Sequence, residues 1–231
     1  MKILILTRSI SDTNGNNQKQ ANGRTLAYGR GNINDALSIK RALGNIHDIK
    51  ILPLSDDVYY QIRAEKPDAI FNLCDTGFRD DYNLEPHVAA MFDILNVPYT
   101  GNNYFTLALC QNKARAKDIL TFNNILTPKF QVFTAAERKI DPELKYPLIV
   151  KPIREDGSVG IRERSVVNNE EQLKEEVDHV VNIYKQEALV EEFIEGREFT
   201  VSLIGNRRPI VLPVAEIDFT GMPEHLPKIV S

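Results

Sequence analysis

Cysteine is scarce in this chain: Cys74 and Cys110 are the only two among 231 residues. Both have apolar neighbours and no paired-ligand spacing, so they read as buried thiols of a reducing cytoplasm, not as a disulfide or metal framework. Histidine is nearly as rare. His47, His87, His179 and His225 have no ligand partner at i+3 or i+4 and read as structural or surface residues. Ser9 and Ser158 lack a histidine partner in pattern, which argues against a nucleophilic triad. No apolar run approaches the roughly 18 residues that a bilayer requires. The leading MKILILTRS is too short and unpunctuated for a secretory signal and reads as a first buried strand. A net charge of −4 gives no electrostatic footprint for nucleic acid or a membrane surface. Internal repeats and low-complexity tracts are absent too. So are the P-loop GxxxxGK[ST] and the dinucleotide-binding GxGxxG.

What is present suits a globular chain of one or two domains with a sizeable core, since 42% of the residues are hydrophobic and 26% charged. Lys2 to Thr7 is a continuous apolar run, as expected of a buried parallel strand. Residues 11–32 are rich in Asn, Gly and Gln and read as a long loop. Residues 34–43 suit an amphipathic helix with Asn34 as its cap. Strands are expected at 48–52 and 69–73, with a helix at 58–65 between them. Val88, Met91, Phe92 and Leu95 lie at i, i+3, i+4 and i+7, one face of a further helix. Strands alternating with helices imply a parallel sheet covered by helices. Residues 102–122 are helical in pattern. Strands are then expected at 130–133, 148–150, 161–167, 189–193, 199–204 and 209–219, the last broken by Pro213. Asn168 or Asn169 should cap a helix reaching about Tyr184.

Two stretches carry the most specific chemistry. In Tyr146 to Gly160, YPLIVKPIREDGSVG, an apolar strand delivers Lys151, and a Gly/Ser loop follows at 156–160. The lysine's stem is desolvated there, and its ammonium must find an anion. Glu155 is the ordinary partner, and a phosphate is the functional one. The loop amides could cradle phosphate oxygens, although tight turns use the same residues. In Leu189 to Thr200, LVEEFIEGREFT, Glu191 shares a strand face with Leu189 and Phe193 by the period-two rule. A carboxylate between apolar neighbours needs a donor, such as the amino group of adenine, with the backbone of Glu192 to Ile194 as hinge partners. The alternative is an edge-strand glutamate reaching solvent. Glu198 could accept from two ribose hydroxyls or pair with Arg197 or Arg207. Lys113 follows Gln111-Asn112 at a helix start. Arg115 and Lys117 read as a solvated face.

These two stretches resemble the ATP-grasp superfamily, in its D-alanine–D-alanine ligase branch. Ile70 to Asn102 resembles the end of the ligase N-terminal domain, and Lys113 to Phe130 resembles the entry to its central domain. The likeness runs from residue 69 onward. The first 50 residues share little beyond a leading strand. The resemblance implies an α/β fold in three parts. These are a parallel-sheet, Rossmann-like pre-ATP-grasp domain over 1–108, an α+β ATP-grasp central (lid) domain over 109–186, and the start of a C-terminal subdomain over 187–231. It implies an ATP-dependent carboxylate–amine ligase that forms a dipeptide through an acyl phosphate for cell-wall precursors. Lys113, Lys151, Glu155, Gly157, Ser158, Glu191, Glu192, Ile194 and Glu198 would hold the nucleotide, with Lys151 and Ser158 nearest the chemistry. Small amino acids would be the substrates, ATP and Mg2+ the cofactors, and a homodimer through the N-terminal domain the assembly.

The chain also departs from that pattern. Where related ligases have Glu-Gly-Ser-Ser-Val-Gly, this chain has Glu155, Asp156, Gly157, Ser158, Val159 and Gly160, so Gly157 takes the place of a substrate-contacting serine. The GGxSxExxVS-type signature near the N-terminus is replaced by TRSISDTNGN and GRTLAYGRGN, and neither Asp81 nor Glu85 aligns with its glutamate. The family's metal-binding carboxylates, Asn and catalytic Arg are expected beyond Ser231, which points to a truncated piece of a longer ligase. Another ATP-grasp amino acid or peptide ligase, or a nucleotide-binding module without turnover, remains open at this point.

Overall fold

The computed structural model describes residues 1–8, 31–134, 139–223 and 226–230. Two compact units emerge: Met1–Asn124 with Ile153–Asp156, and Ile125–Pro152 with Gly157–Ser231.

The first unit is built on a three-stranded parallel sheet of order β2-β1-β3, with β1 at Lys2–Thr7, β2 at Asp48–Pro53 and β3 at Ala69–Leu73. The central strand is apolar on both faces because both are covered. Ile3 and Ile5 meet Ala36 and Ile39 of α1 (Gly31–Leu43). Leu4 and Leu6 meet Val58 and Ile62 of α2 (Val58–Glu65), and Val88, Met91 and Phe92 of α3 (Glu85–Leu95). A side-chain period of two thus divides one strand between two cores. Lys66 and Asn96 end α2 and α3 in the left-handed conformation. Two more helices follow, α4 (Tyr104–Cys110) and α5 (Lys113–Phe122), each opened by an asparagine whose Oδ1 accepts from an amide: Asn103 from Thr106 at 2.9 Å and Asn112 from Arg115 at 3.1 Å.

In the second unit a four-stranded antiparallel sheet has the order β4-β7-β5-β6. Its strands are β4 (Phe130–Phe133), β5 (Leu148–Pro152), β6 (Val166–Val167) and β7 (Ala188–Glu192). One face is closed by α6 (Glu170–His179), which sets Leu173 and Val177 against Leu148, Val150, Val167, Ala188 and Val190. A π-helical turn, Val180–Tyr184, continues α6. Two short antiparallel pairs complete the unit: β8 (Glu198–Thr200) with β11 (Ala215–Ile217), and β9 (Leu203–Ile204) with β10 (Ile210–Val211). In the second pair Ile204 faces Ile210 and Leu203 faces Val211, so both sides of the ribbon are apolar, with all four residues 59–66% exposed.

Several expectations need correction. The helix expected from Asn34 begins at Gly31, so Asn34 lies inside it, and Gly31 and Asn32 are helical; residues 11–30 of the expected loop fall outside the described residues. The helical stretch 102–122 is two helices, split at Gln111-Asn112. Residues 161–167 form a 3-10 turn, Glu163–Ser165, and only the two-residue β6. The single strand expected at 199–204 is β8 and β9, with different partners. Cys74 is buried, and burial pushes its thiol well up, but Cys110 is exposed because its place on α4 faces outward. Among the described residues no helix is long and apolar enough to cross a membrane.

Candidate nucleotide site

The face of the second unit's sheet opposite α6 carries the candidate residues. Ala188 and Val190 point into the α6 core, so Leu189 and Glu191 point the other way. Antiparallel register pairs Lys151 with Leu189, and Ile149 with Glu191. Lys151 and Glu191 are therefore diagonal neighbours on one face, within reach of each other. Lys151 Nζ donates to Glu191 Oε1 in an ion pair whose side chains are 22% and 10% exposed. The ordinary partner expected for Lys151 was Glu155; the structure gives it Glu191 instead. An unpaired carboxylate at this depth would be costly, and the lysine relieves that cost.

Beyond β7 the chain runs through Glu192, Phe193 and Ile194. The Glu192 amide donates to the Lys129 carbonyl at 3.0 Å, and the Phe193 amide to the Pro147 carbonyl at 3.0 Å. The Glu192 carboxylate accepts from the Lys145 amide at 3.3 Å. The amide of Ile194 makes no backbone hydrogen bond among the described residues, and its side chain is exposed. Glu198 opens β8, exposed, and among the described residues forms no ion pair. Its expected alternative partner, Arg197, is bidentate to Glu216 at 2.7 Å through each nitrogen, and lies 4.8 Å above the Phe199 ring.

The Gly/Ser loop after β5 takes an unusual path. Gly157, Ser158 and Gly160 have φ of 50°, 62° and 79°, and the Ile161 amide donates to the Ser158 carbonyl at 3.0 Å. At Gly160 a Cβ would stand 2.5 Å from Pro152 Cγ and 3.0 Å from Tyr184, so only glycine fits this position. The segment after the loop is anchored by Arg162, whose guanidinium meets buried Glu176 of α6 at 2.8 Å.

Lys113 and Glu155 belong to the first unit. The Lys113 amide donates to the Ile153 carbonyl at 3.1 Å, and its ammonium to the carbonyl of Glu155, itself buried. Lys117 corrects the sequence reading: it is 6% exposed, whereas Arg115 is exposed and pairs with Asp118 at 3.1 Å. The i,i+4 spacing from Lys113 puts Lys117 on the same side of α5, a signal the sequence held. Glu85 is a second residue that sequence reasoning passed over. Gln111 Nε2 donates to its Oε2 at 3.0 Å. Burial pushes its carboxyl up to about 7, helped by Asp156 and Asp75 and opposed by that hydrogen bond. Gly77, at φ 69°, lets the backbone pass there, since a Cβ would lie 2.4 Å from the Glu85 nitrogen.

Of the three histidines among the described residues, His179 is half-buried beside Tyr184, and burial lowers its pKa. A cavity of about 1080 Å³ lies in the second unit. Phe193, Glu195, Gly196 and Arg197 line it with residues of α6, but Lys151, Glu191 and Glu198 do not. The buried, hydrogen-bonded charged pair lies on the sheet face instead. Among the described residues no group of three or more His, Cys, Asp or Glu side chains could hold a metal ion.

A sheet of this order with a lysine and a glutamate paired on the face away from α6, preceded in the chain by a parallel-sheet unit, suits the ATP-grasp fold. The solved structure of a D-alanine–D-alanine ligase from Bacillus anthracis complexed with ATP superposes with a TM-score of 0.66 at 21% identity, over 96% of this chain and 67% of that one. A further structure of the Bacillus anthracis ligase gives 0.67 at 23% identity, over 94% and 64%. The family model for the D-ala D-ala ligase C-terminus matches residues 119–222. The D-alanine–D-alanine ligase of Aquifex aeolicus is 32% identical over 180 residues, 77% of this chain and 57% of its own length. That of Pelotomaculum thermopropionicum is 29% identical over 195 residues, 80% and 57%. The uncharacterized protein y4sG of Sinorhizobium fredii is 36% identical over 149 residues, 64% and 43%. The chain is a D-alanine–D-alanine ligase-like ATP-grasp protein, and it spans 43–57% of the length of these relatives.

Proposed function

We propose that this chain carries the nucleotide-binding part of an ATP-dependent carboxylate–amine ligase that joins two amino acids, with D-alanine as the substrate. The observation that supports it most is the buried Lys151–Glu191 pair on the sheet face away from α6, inside the stretch that matches the ligase family model. ATP would phosphorylate a substrate carboxylate; the amine of the second amino acid would then attack the acyl phosphate and release phosphate. Lys151 and Lys113 would neutralise phosphate charge. Ser158 and the amides of Gly157 to Gly160 would close over the phosphates and exclude the water that hydrolyses an acyl phosphate. Glu191, with the backbone of Glu192 and Ile194, would meet the adenine; Glu198 would accept from the ribose, as its open carboxylate allows. Buried Glu155 would hold Lys113 in place through its carbonyl. Among the described residues no group of three or more carboxylate, histidine or cysteine side chains is placed to hold Mg2+.

The test is calorimetric binding of ATP by the chain, with and without D-alanine. ATP binding that D-alanine tightens is the expected result. Tightening by a different amino acid alone would reassign the substrate. ATP binding that no amino acid alters would leave a nucleotide-binding module, and no ATP binding would overturn the nucleotide reading.

A further inference from the structure

The ion pair at the heart of the candidate site joins two groups to which the nucleotide reading gives separate tasks, Lys151 for phosphate and Glu191 for adenine. Their geometry ties them together. They sit on adjacent strands of one rigid sheet, on the face away from α6, with the Glu191 carboxylate 10% exposed and the lysine 22%. Neither could be left alone. A buried carboxylate without the lysine would lack its charged donor, and the lysine without the carboxylate would lack the acceptor that fixes its direction. The ammonium has three donors; one is spent on Glu191 and the others remain for a ligand. The carboxylate is fixed in turn from behind, since its strand is paired on both sides, to β4 and to β5.

We propose that Glu191 is a positioning residue for Lys151: it holds the ammonium in place on the sheet face away from α6, so that the pair binds phosphate as a unit. This rests on the nucleotide reading and sharpens it, because Glu191 then acts on the phosphate end of the ligand as well as on the base. Without the pair, the lysine's flexible stem would leave the ammonium free to swing toward solvent.

Glu191→Gln separates the two roles, because the amide oxygen still accepts a hydrogen bond from an adenine amino group but carries no charge. Affinities for adenosine and ADP would be measured by calorimetry on the 231-residue chain, its Glu191→Gln and Lys151→Met variants, and the double variant. Positioning predicts that Glu191→Gln weakens ADP roughly 10- to 100-fold, the range for a lost charge-assisted hydrogen bond, while adenosine changes little. It also predicts that the double variant loses no more ADP affinity than Lys151→Met alone. Equal loss for adenosine and ADP, or additive losses in the double variant, would overturn the positioning role and leave the nucleotide reading standing. Failure of the parent chain to bind either ligand would overturn both. Circular dichroism of each variant separates these results from loss of fold.

Discussion

Individual residues show where the sequence was readable and where it was not. Lys151 and Glu191 stood out at once, as charged groups closing or interrupting apolar strands. Their pairing was hidden, because it depends on an antiparallel register that brings positions 40 apart onto one face. The sequence offered Glu155 only because it was close in the chain. Glu85 was hidden for the same reason, since its burial comes from packing. Its folded pKa, about 7, lies above the ordinary 4.5, so the folded state holds this proton more tightly than the unfolded one. Stability therefore falls as pH rises from about 4.5 through about 7, and Glu85→Gln should remove that part of the fall. Urea melts at several pH values check this: the gain from Glu85→Gln should be small near pH 4 and grow toward neutrality. Gly160→Ala should be destabilising by about 1–3 kcal/mol, from its left-handed backbone and the clash with Pro152. Denaturant unfolding measures it.

Elements with a strong local pattern came out where the sequence placed them: Val58–Glu65, Ala69–Leu73 and Phe130–Phe133 match to the residue. The misreading at 161–167 has a local cause. The Arg162 amide donates to Ser165 Oγ at 3.1 Å, and the Ser165 amide returns to the Arg162 carbonyl at 2.8 Å. That closure competes with extended backbone. Helix α6 illustrates the opposite case, a boundary written in its cap: Asn169 Oδ1 accepts from the Gln172 amide at 3.0 Å. Asn169→Ala should cost about 1 kcal/mol and lower the melting temperature without shifting the helical circular dichroism signal of the folded state.

For the molecule as a whole, the sequence pattern conveyed the order of the layers better than their division. Alternating apolar periods gave the parallel sheet, and β1 is buried on both faces as its unbroken apolar run implied. The short C-terminal strands were harder, because two- and three-residue pairings leave almost no periodic trace. Nucleotide binding belongs to this scale. A ligand at about 100 times its dissociation constant adds about 2.7 kcal/mol, so excess MgATP should raise the melting temperature by roughly 5 to 10 °C. An unchanged melting temperature would argue against nucleotide binding by this chain.

The β9–β10 ribbon has a practical consequence for anyone handling the protein. With Leu203 and Val211 on one side and Ile204 and Ile210 on the other, no rotation of the ribbon hides its oily surface from water. A solvatochromic dye such as anilinonaphthalene sulfonate should therefore fluoresce with the native chain, and Leu203→Thr with Ile204→Lys should quench that glow while leaving the fold intact.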